Sequence, residues 1–144
     1  MLRFKKILVP YDGSEHAKKA VELAVEQCQN TDGAKLYLLT VGQSQFGKHS
    51  VDSAYDAERA GGAKEHLTKM AEDEAEAMIP KDIQSDTLYD TGDPREIVVH
   101  TAEELGVDLI VMGSRGLGGF STMLMGSCSN YVVGHAHCPV LIAR

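Results

Sequence analysis

The sequence predicts one α/β domain over residues 1–144, with a parallel β-sheet and helices on both of its faces. Short apolar runs alternate with segments of helical periodicity in the order βαβαβαβαβ, and this alternation is typical of the class. A chain of 144 residues fits one domain and is long enough to bury a core without disulfides or metals. Its content of 43% hydrophobic and 24% charged residues is that of an ordinary globular protein.

Five runs rich in apolar residues predict the strands of the sheet. They are Ile7–Pro10, Leu36–Val41, Ile83–Tyr89, Leu109–Met112 and Val140–Ala143. Most of these runs show no polar alternation, which is typical of strands that are covered on both faces. The third run is partly polar, so we expect it near an edge of the sheet.

Four helices are predicted by apolar residues at i, i+3, i+4 and i+7. One carries such residues from Ala17 to Cys28, and the others span Ala54–Met78, the segment between Asp93 and Gly106, and about Ser127–Ala136. Ser14 and Asp93 are expected N-caps, with Pro94 in the first turn and Glu96 completing a capping box. Residues 42–53 have no periodicity, and we expect a mobile loop there that acts as a lid.

The charge balance limits the classes of partner. Acidic residues outnumber basic ones 21 to 14, for a formal net charge of −7, which opposes binding to nucleic acid or to anionic membranes. The three cysteines, Cys28, Cys128 and Cys138, form no C-x-x-C pair and suggest no disulfide framework. The apolar run near the N-terminus is too short for a signal peptide or a membrane span. We therefore expect a cytoplasmic protein.

Residues 113–127, GSRGLGGFSTMLMGS, carry five glycines after the fourth predicted strand. Glycine lets backbone N–H groups approach a phosphate with no Cβ in the way. Gly126 and Ser127 begin the last predicted helix, where unpaired N–H groups and the helix dipole favour an anion. The segment has neither the Gly-Lys-Ser/Thr of a Walker A loop nor the Rossmann fingerprint. It predicts a phosphate-binding loop of another kind, although glycines that merely shape a turn are the alternative.

The spacing Gly113-x2-Gly116-x9-Gly126-Ser127 resembles G-x2-G-x9-G-[ST], the ATP-binding motif of the universal stress protein family. VPYDGS at residues 9–14 resembles that family's opening V-P-x-D-G-S, and CPVLI at 138–142 resembles its C-P-V-L-[VI]. GDP at 92–94 is similar to the G-x-P turn before the family's third helix. The resemblance covers the whole chain.

The resemblance implies a Rossmann-like fold, of the adenine nucleotide alpha hydrolase-like type, with strand order 3-2-1-4-5. It implies ATP at the carboxyl ends of the strands, together with Mg²⁺ (or Mn²⁺), and Asp12 near the ribose or the metal. The nucleotide-binding residues that it implies are Pro10, Tyr11, Asp12, Val41, Met112, Gly113, Arg115, Gly116, Gly126, Ser127, Cys128 and Ser129. It also implies a homodimer formed through the last strand, Val140–Ala143.

One departure from the family concerns charge. Many members carry Lys or Arg between the second and third motif glycines, whereas residues 117–125 are uncharged here and Arg115 is the loop's only cation. We expect weaker binding of the triphosphate, or a greater dependence on Mg²⁺.

Three functions stay open at this point: a nucleotide-dependent stress-response switch, a slow ATPase or self-phosphorylating enzyme, and a scaffold that binds no nucleotide. Ser121, Ser127 or Ser129 would accept phosphate in the second. The nucleotide itself is ATP or another adenine nucleotide. Cys128 is either a small packed residue, which we favour, or a reactive thiol at a helix N-terminus.

Overall fold

The computed structural model describes residues 3–42, 66, 68–115 and 126–144. The strands are β1 (Lys6–Pro10), β2 (Lys35–Gly42), β3 (Gln84–Thr91), β4 (Leu109–Gly113) and β5 (Val140–Ala143). Every pairing is parallel, and the order across the sheet is β3-β2-β1-β4-β5. The predicted fold and strand order are confirmed. The third strand is an edge strand, as its polar residues predicted.

Helices cover both faces of the sheet. They are α1 (Glu15–Gln29), α2 (helical at 68–78), α3 (Pro94–Leu105) and α4 (Ser127–His135). Ile7 and Val9 of β1 pack under α1 and α2, whereas Leu8 packs under α3 and α4, because successive side chains of a strand point to opposite faces. The predicted lid and the first part of the predicted second helix lie outside the described residues.

The helix boundaries follow from local chemistry. All six apolar residues predicted for the inner face of α1 are buried, and the Ser14 hydroxyl accepts a hydrogen bond from the Ala17 N–H. Asp93 caps α3, but its carboxylate bonds the N–H of Arg95 and not that of Glu96, the predicted partner in a capping box. Gly106 ends α3 with a φ of 64°, which glycine adopts at no steric cost. In the part of the chain described, no helix is both long and apolar enough to cross a bilayer.

The two central strands are joined at one end and separate at the other. At the amino end, the Asp108 carboxylate accepts hydrogen bonds from the backbone N–H groups of Lys5 and Lys6 at 3.0 and 3.1 Å. Pairing between β1 and β4 ends at Leu8 and Ile110, although both strands continue beyond these residues and stay paired with their outer neighbours β2 and β5. A crevice therefore opens between β1 and β4 at the carboxyl edge of the sheet, where an open α/β sheet binds its ligands.

Candidate functional site

Several residues that the sequence predicted for the site lie at the carboxyl edge of the sheet. Asp12 follows β1, and its Oδ1 accepts a hydrogen bond from the Ser14 N–H at 2.9 Å, which shapes the turn into α1. Gly113 ends β4, and Gly126 precedes α4. The structure therefore brings the first and third motif glycines to the same edge of the sheet as Asp12. Gly116 and Ser121 lie outside the described residues.

Gly113 has no room for a side chain. A Cβ at this position would lie 2.7 Å from the Cβ of His16 and 2.9 Å from the His16 carbonyl carbon, closer than such atoms can approach. The first turn of α1 therefore packs directly against the end of β4. Glycine is required here for helix-to-strand packing as well as for any ligand.

The carbonyl of Ser114 ties the two ends of the glycine-rich segment together. It accepts hydrogen bonds from the Gly126 N–H at 2.6 Å and from the Ser129 hydroxyl at 2.9 Å. The Ser129 hydroxyl also lies 3.1 Å from the Gly126 carbonyl, and only 1% of Ser129 is exposed. This hydroxyl supports the base of the loop and does not face the crevice, contrary to the role as phosphate ligand or acceptor that the sequence suggested.

Tyr11 was expected beside the adenine, but its side chain packs into the core beneath α1 and α2 and is only 3% exposed. Its hydroxyl donates to the Glu74 carboxylate of α2, and its backbone N–H donates to the Leu39 carbonyl. Burial, followed by the hydrogen bond to Glu74, raises the pKa of Tyr11 above its ordinary range. The hydroxyl and the backbone N–H of Tyr11 therefore both have partners within the protein, and the buried side chain does not line the crevice.

Pro10 and Val41 are half-buried near the carboxyl ends of β1 and β2. Met112 differs, because its side chain is buried under α3 and α4 and only its backbone reaches the edge. Arg115 follows β4 and is half-buried, whereas Ser127 begins α4 and is exposed.

The Cys128 thiol is packed and not activated. Its side chain packs against the core beneath α3 and α4. Burial is the main reason that the pKa of Cys128 rises to about 11; Asp93 and Asp12 raise it further, and Arg95 partly opposes the rise. A thiol with this pKa is neutral at pH 7, so the favoured interpretation as a packed residue describes the structure better than a reactive thiol.

Four residues at this edge were missed by the sequence reasoning. His16 Nδ1 lies 2.9 Å from the Ser114 hydroxyl, Glu74 binds Tyr11, and the Tyr89 hydroxyl lies directly over the backbone of Gly42. Arg95, the fourth, is coupled electrostatically to Cys128. His16 and Ser114 are 98 positions apart, and Tyr11 and Glu74 are 63 apart. No local pattern reports contacts at such separations.

Among the residues described, no group of three or more His, Cys, Asp and Glu side chains could hold a metal ion. A protein-only metal cage is therefore absent from that part of the chain. Mg²⁺ needs fewer protein ligands than such a cage supplies, because it commonly binds one or two carboxylates together with phosphate oxygens and several waters. The Asp12 carboxylate at the crevice is a suitable ligand of this kind for a metal that arrives with a nucleotide.

Comparison with known proteins agrees with this architecture. The model of the universal stress protein family matches residues 3–144. The chain is 36% identical over 148 aligned residues to universal stress protein YxiE of Bacillus subtilis, with 98% of this chain and 99% of the relative covered.

Solved structures share the fold over nearly the whole chain. The hypothetical protein MJ0577 superposes with a TM-score of 0.86 at 27% identity, covering 99% of this chain and 96% of the other. A universal stress protein family protein from Arabidopsis thaliana, solved with AMP bound, superposes with a TM-score of 0.64 at 24% identity, covering 96% and 90%. The sequence matches and the shared fold agree, and the chain belongs to the universal stress protein family.

Proposed function

We propose that the chain binds ATP in the crevice between β1 and β4 and works as a nucleotide-dependent switch in a stress response. The observation that carries the proposal is the opening of the sheet beside Gly113 and Gly126. Two glycines border the place where β1 and β4 separate, and α4 begins immediately after the second of them. The first N–H groups of a helix have no partner within the helix, and they bind phosphate groups well.

The ligand arrangement follows from the positions of the elements. Adenine and ribose would lie along Pro10, Asp12 and Val41, and the phosphates would lie against Gly126 and Ser127. The backbone of Gly126 has φ −72° and ψ 167°, an ordinary extended conformation. Its N–H bonds the Ser114 carbonyl, so the phosphates would be bound by the N–H groups that follow it in α4.

Asp12 would help to hold a Mg²⁺ ion that arrives with the nucleotide, and the ion would reduce the repulsion that a chain of net charge −7 exerts on a nucleotide. The cytoplasm supplies both Mg²⁺ and ATP, and the three cysteines are free in the structure, as a reducing compartment requires. The related fold from Arabidopsis thaliana with AMP bound shows that this architecture accommodates an adenine nucleotide in that protein.

Isothermal titration of the purified chain with Mg-ATP tests the proposal. The Gly126→Val variant should fold, because its φ suits any residue, but its Cβ would lie 3.3 Å from the Ser114 carbonyl oxygen, so the backbone at the start of α4 must shift where we place the phosphates. We expect heat of binding in the parent protein and none in Gly126→Val. Gly134→Ala is the control, because Gly134 lies in α4 with no atom within 4 Å of the position of its Cβ, and it should bind like the parent.

The same samples separate switch, enzyme and scaffold. A switch binds nucleotide and raises the melting temperature, with stabilisation of about 2.7 kcal/mol when ATP is at a hundred times its Kd. Steady phosphate release, or label retained on the protein, would favour the enzyme. A folded parent protein that gives no heat at millimolar ATP would leave the scaffold as the remaining function.

We also propose a homodimer formed through β5. This strand lies at the edge of the sheet, and an unpaired edge invites another strand. Among the side chains that the structure describes, the exposed large apolar ones are Val133 of α4 and Leu141 of β5, at 51% and 38%. Both belong to neighbouring elements at this edge, which supports an interface there.

A further inference from the structure

Arg95 is held in place from two directions at the start of α3. Its Nε and Nη2 donate to the two oxygens of the Asp93 carboxylate at 3.2 and 2.9 Å. Its guanidinium carbon lies 5.6 Å from the centre of the Tyr131 ring, within the range of a cation–π contact. Tyr131 is itself stacked on His135, with the ring centres 3.9 Å apart. An exposed arginine is usually mobile, but this one is oriented before any ligand arrives.

The side chain keeps donors available in this arrangement. A guanidinium has five N–H groups, and Asp93 uses the edge formed by Nε and Nη2. The Nη1 group adds two more donors on another edge, and 47% of the side chain is exposed. A phosphate can therefore bind Arg95 without displacing Asp93, and a guanidinium binds phosphate through two parallel N–H donors.

The position of Arg95 connects it to the crevice. Tyr131 lies four residues after Ser127, one turn into α4, so Arg95 stands beside the first turns of that helix. Cys128, in the first turn of α4, is close enough to both residues to be influenced by them: burial raises its pKa most, Asp93 and Asp12 raise it further, and Arg95 lowers it. Arg95 and Asp12 thus both lie near the start of α4.

A cation is needed at this place. Asp12 and Asp93 both carry negative charge near the start of α4, and residues 117–125 carry no charge at all. Besides Arg115, the sequence of the glycine-rich segment offers no cation to balance a triphosphate. A cation supplied from α3 would compensate for this shortage.

We propose that Arg95 binds the terminal phosphates of the nucleotide and so makes the site prefer ATP over AMP. The inference rests on the proposed nucleotide binding at the carboxyl edge of the sheet. Arg95, at the beginning of α3, would supply the positive charge that the segment between β4 and α4 lacks.

Titration of the full chain with Mg-ATP and with AMP tests this role in the parent protein, Arg95→Gln and Arg95→Lys. In Arg95→Gln we expect ATP to bind about tenfold more weakly, and AMP to change by less than about twofold, because a hydrogen bond to a charged group is lost for ATP alone. Arg95→Lys keeps the charge but not the planar fork, so it should bind ATP with intermediate affinity. The control is Lys81→Gln, which removes a cation beyond the amino end of β3 and should leave both affinities unchanged.

The outcomes separate this inference from the proposed function. If the parent protein binds neither nucleotide, both are wrong. If the parent binds ATP but Arg95→Gln weakens ATP and AMP equally, or weakens neither, the site stands and Arg95 only pairs with Asp93 at the start of α3. A circular dichroism melt without nucleotide shows that each variant is folded before its affinities are compared.

Discussion

The hydroxyl of Tyr11, the first residue after β1, donates a hydrogen bond to the Glu74 carboxylate of α2. One turn earlier on α2, the side chain of Met70 lies 3.7 Å from the position that a Cβ of Gly13 would occupy. Helix α2 therefore touches the turn that carries Asp12 at two points. The packing of this helix and the shape of the crevice are directly connected.

Tyr11→Phe should lower the free energy of unfolding by about 1 kcal/mol at pH 7, because a part-buried hydrogen bond to a carboxylate is lost. Urea denaturation followed by circular dichroism measures the change. Tyr131→Phe is the control, since it removes a hydroxyl that lies far from Glu74. Equal stability of Tyr11→Phe and the parent protein would show that the bond to Glu74 contributes nothing.

The same pair of proteins should differ at high pH. Burial and Glu74 raise the pKa of Tyr11 in the folded protein above its ordinary value of 10.0. A group whose pKa is raised on folding contributes stability that is complete below its unfolded pKa and is lost as the pH rises through the folded one. The parent protein should thus lose stability above pH 10 more steeply than Tyr11→Phe does. Parallel profiles would contradict this cause of the shift.

Gly113→Ala should destabilise the fold by about 1–3 kcal/mol, the usual cost of forcing extra atoms into a packed region, because His16 occupies the space for the new Cβ. The matched variant Gly134→Ala adds the same methyl group inside α4, with no atom within 4 Å. It should be more stable than the parent by about 0.5–1 kcal/mol, since alanine favours a helix over glycine. Chemical denaturation of both variants measures the contrast, and similar stabilities would refute the close approach of α1 to β4.

Cys128 should react slowly with iodoacetamide at pH 7. A pKa of about 11 in place of 9.0 leaves about a hundredfold less thiolate, and the thiolate is the reactive form. Mass spectrometry of the labelled peptide follows the rate, which should rise about tenfold per pH unit up to pH 10. In urea the rate at pH 7 should return to that of an ordinary thiol. Equally fast labelling of the folded chain at pH 7 would contradict the raised pKa of Cys128.

Leu141→Lys should convert the proposed dimer into a monomer, because a lysine on an edge strand discourages pairing with a second strand. Leu141→Ile keeps an apolar side chain of similar size and should remain dimeric. Light scattering at micromolar concentration distinguishes the two. A parent protein with a monomer mass under these conditions would rule out the interface at β5.

Elements with strong local periodicity were predicted well. The six apolar residues of α1 repeat every three or four positions, and all six are buried, because the helix has one face on the sheet. The strand bounds were right to within two residues, since buried strands are short apolar runs between polar turns. The caps at Ser14 and Asp93 are local chemistry too, and both form as predicted.

The site was harder to predict because its contacts are not local. The motif spacing placed Gly113 correctly at the edge, but it could not show that His16 also demands a glycine there. Tyr11 follows a strand, and whether its ring faces the crevice or the core depends on Glu74, which lies on α2. Arg95 looked like part of a helix start, and only the packing of α3 beside α4 shows that it lies over the ring of Tyr131.

The Ser114 carbonyl accepts hydrogen bonds from the Gly126 N–H and the Ser129 hydroxyl. These bonds hold the two ends of the glycine-rich segment together. Lengthening a segment whose ends are already joined costs little, about 0.6 kcal/mol for each doubling. Insertions or deletions between those ends should therefore cost the fold little, while the strands on either side stay as they are.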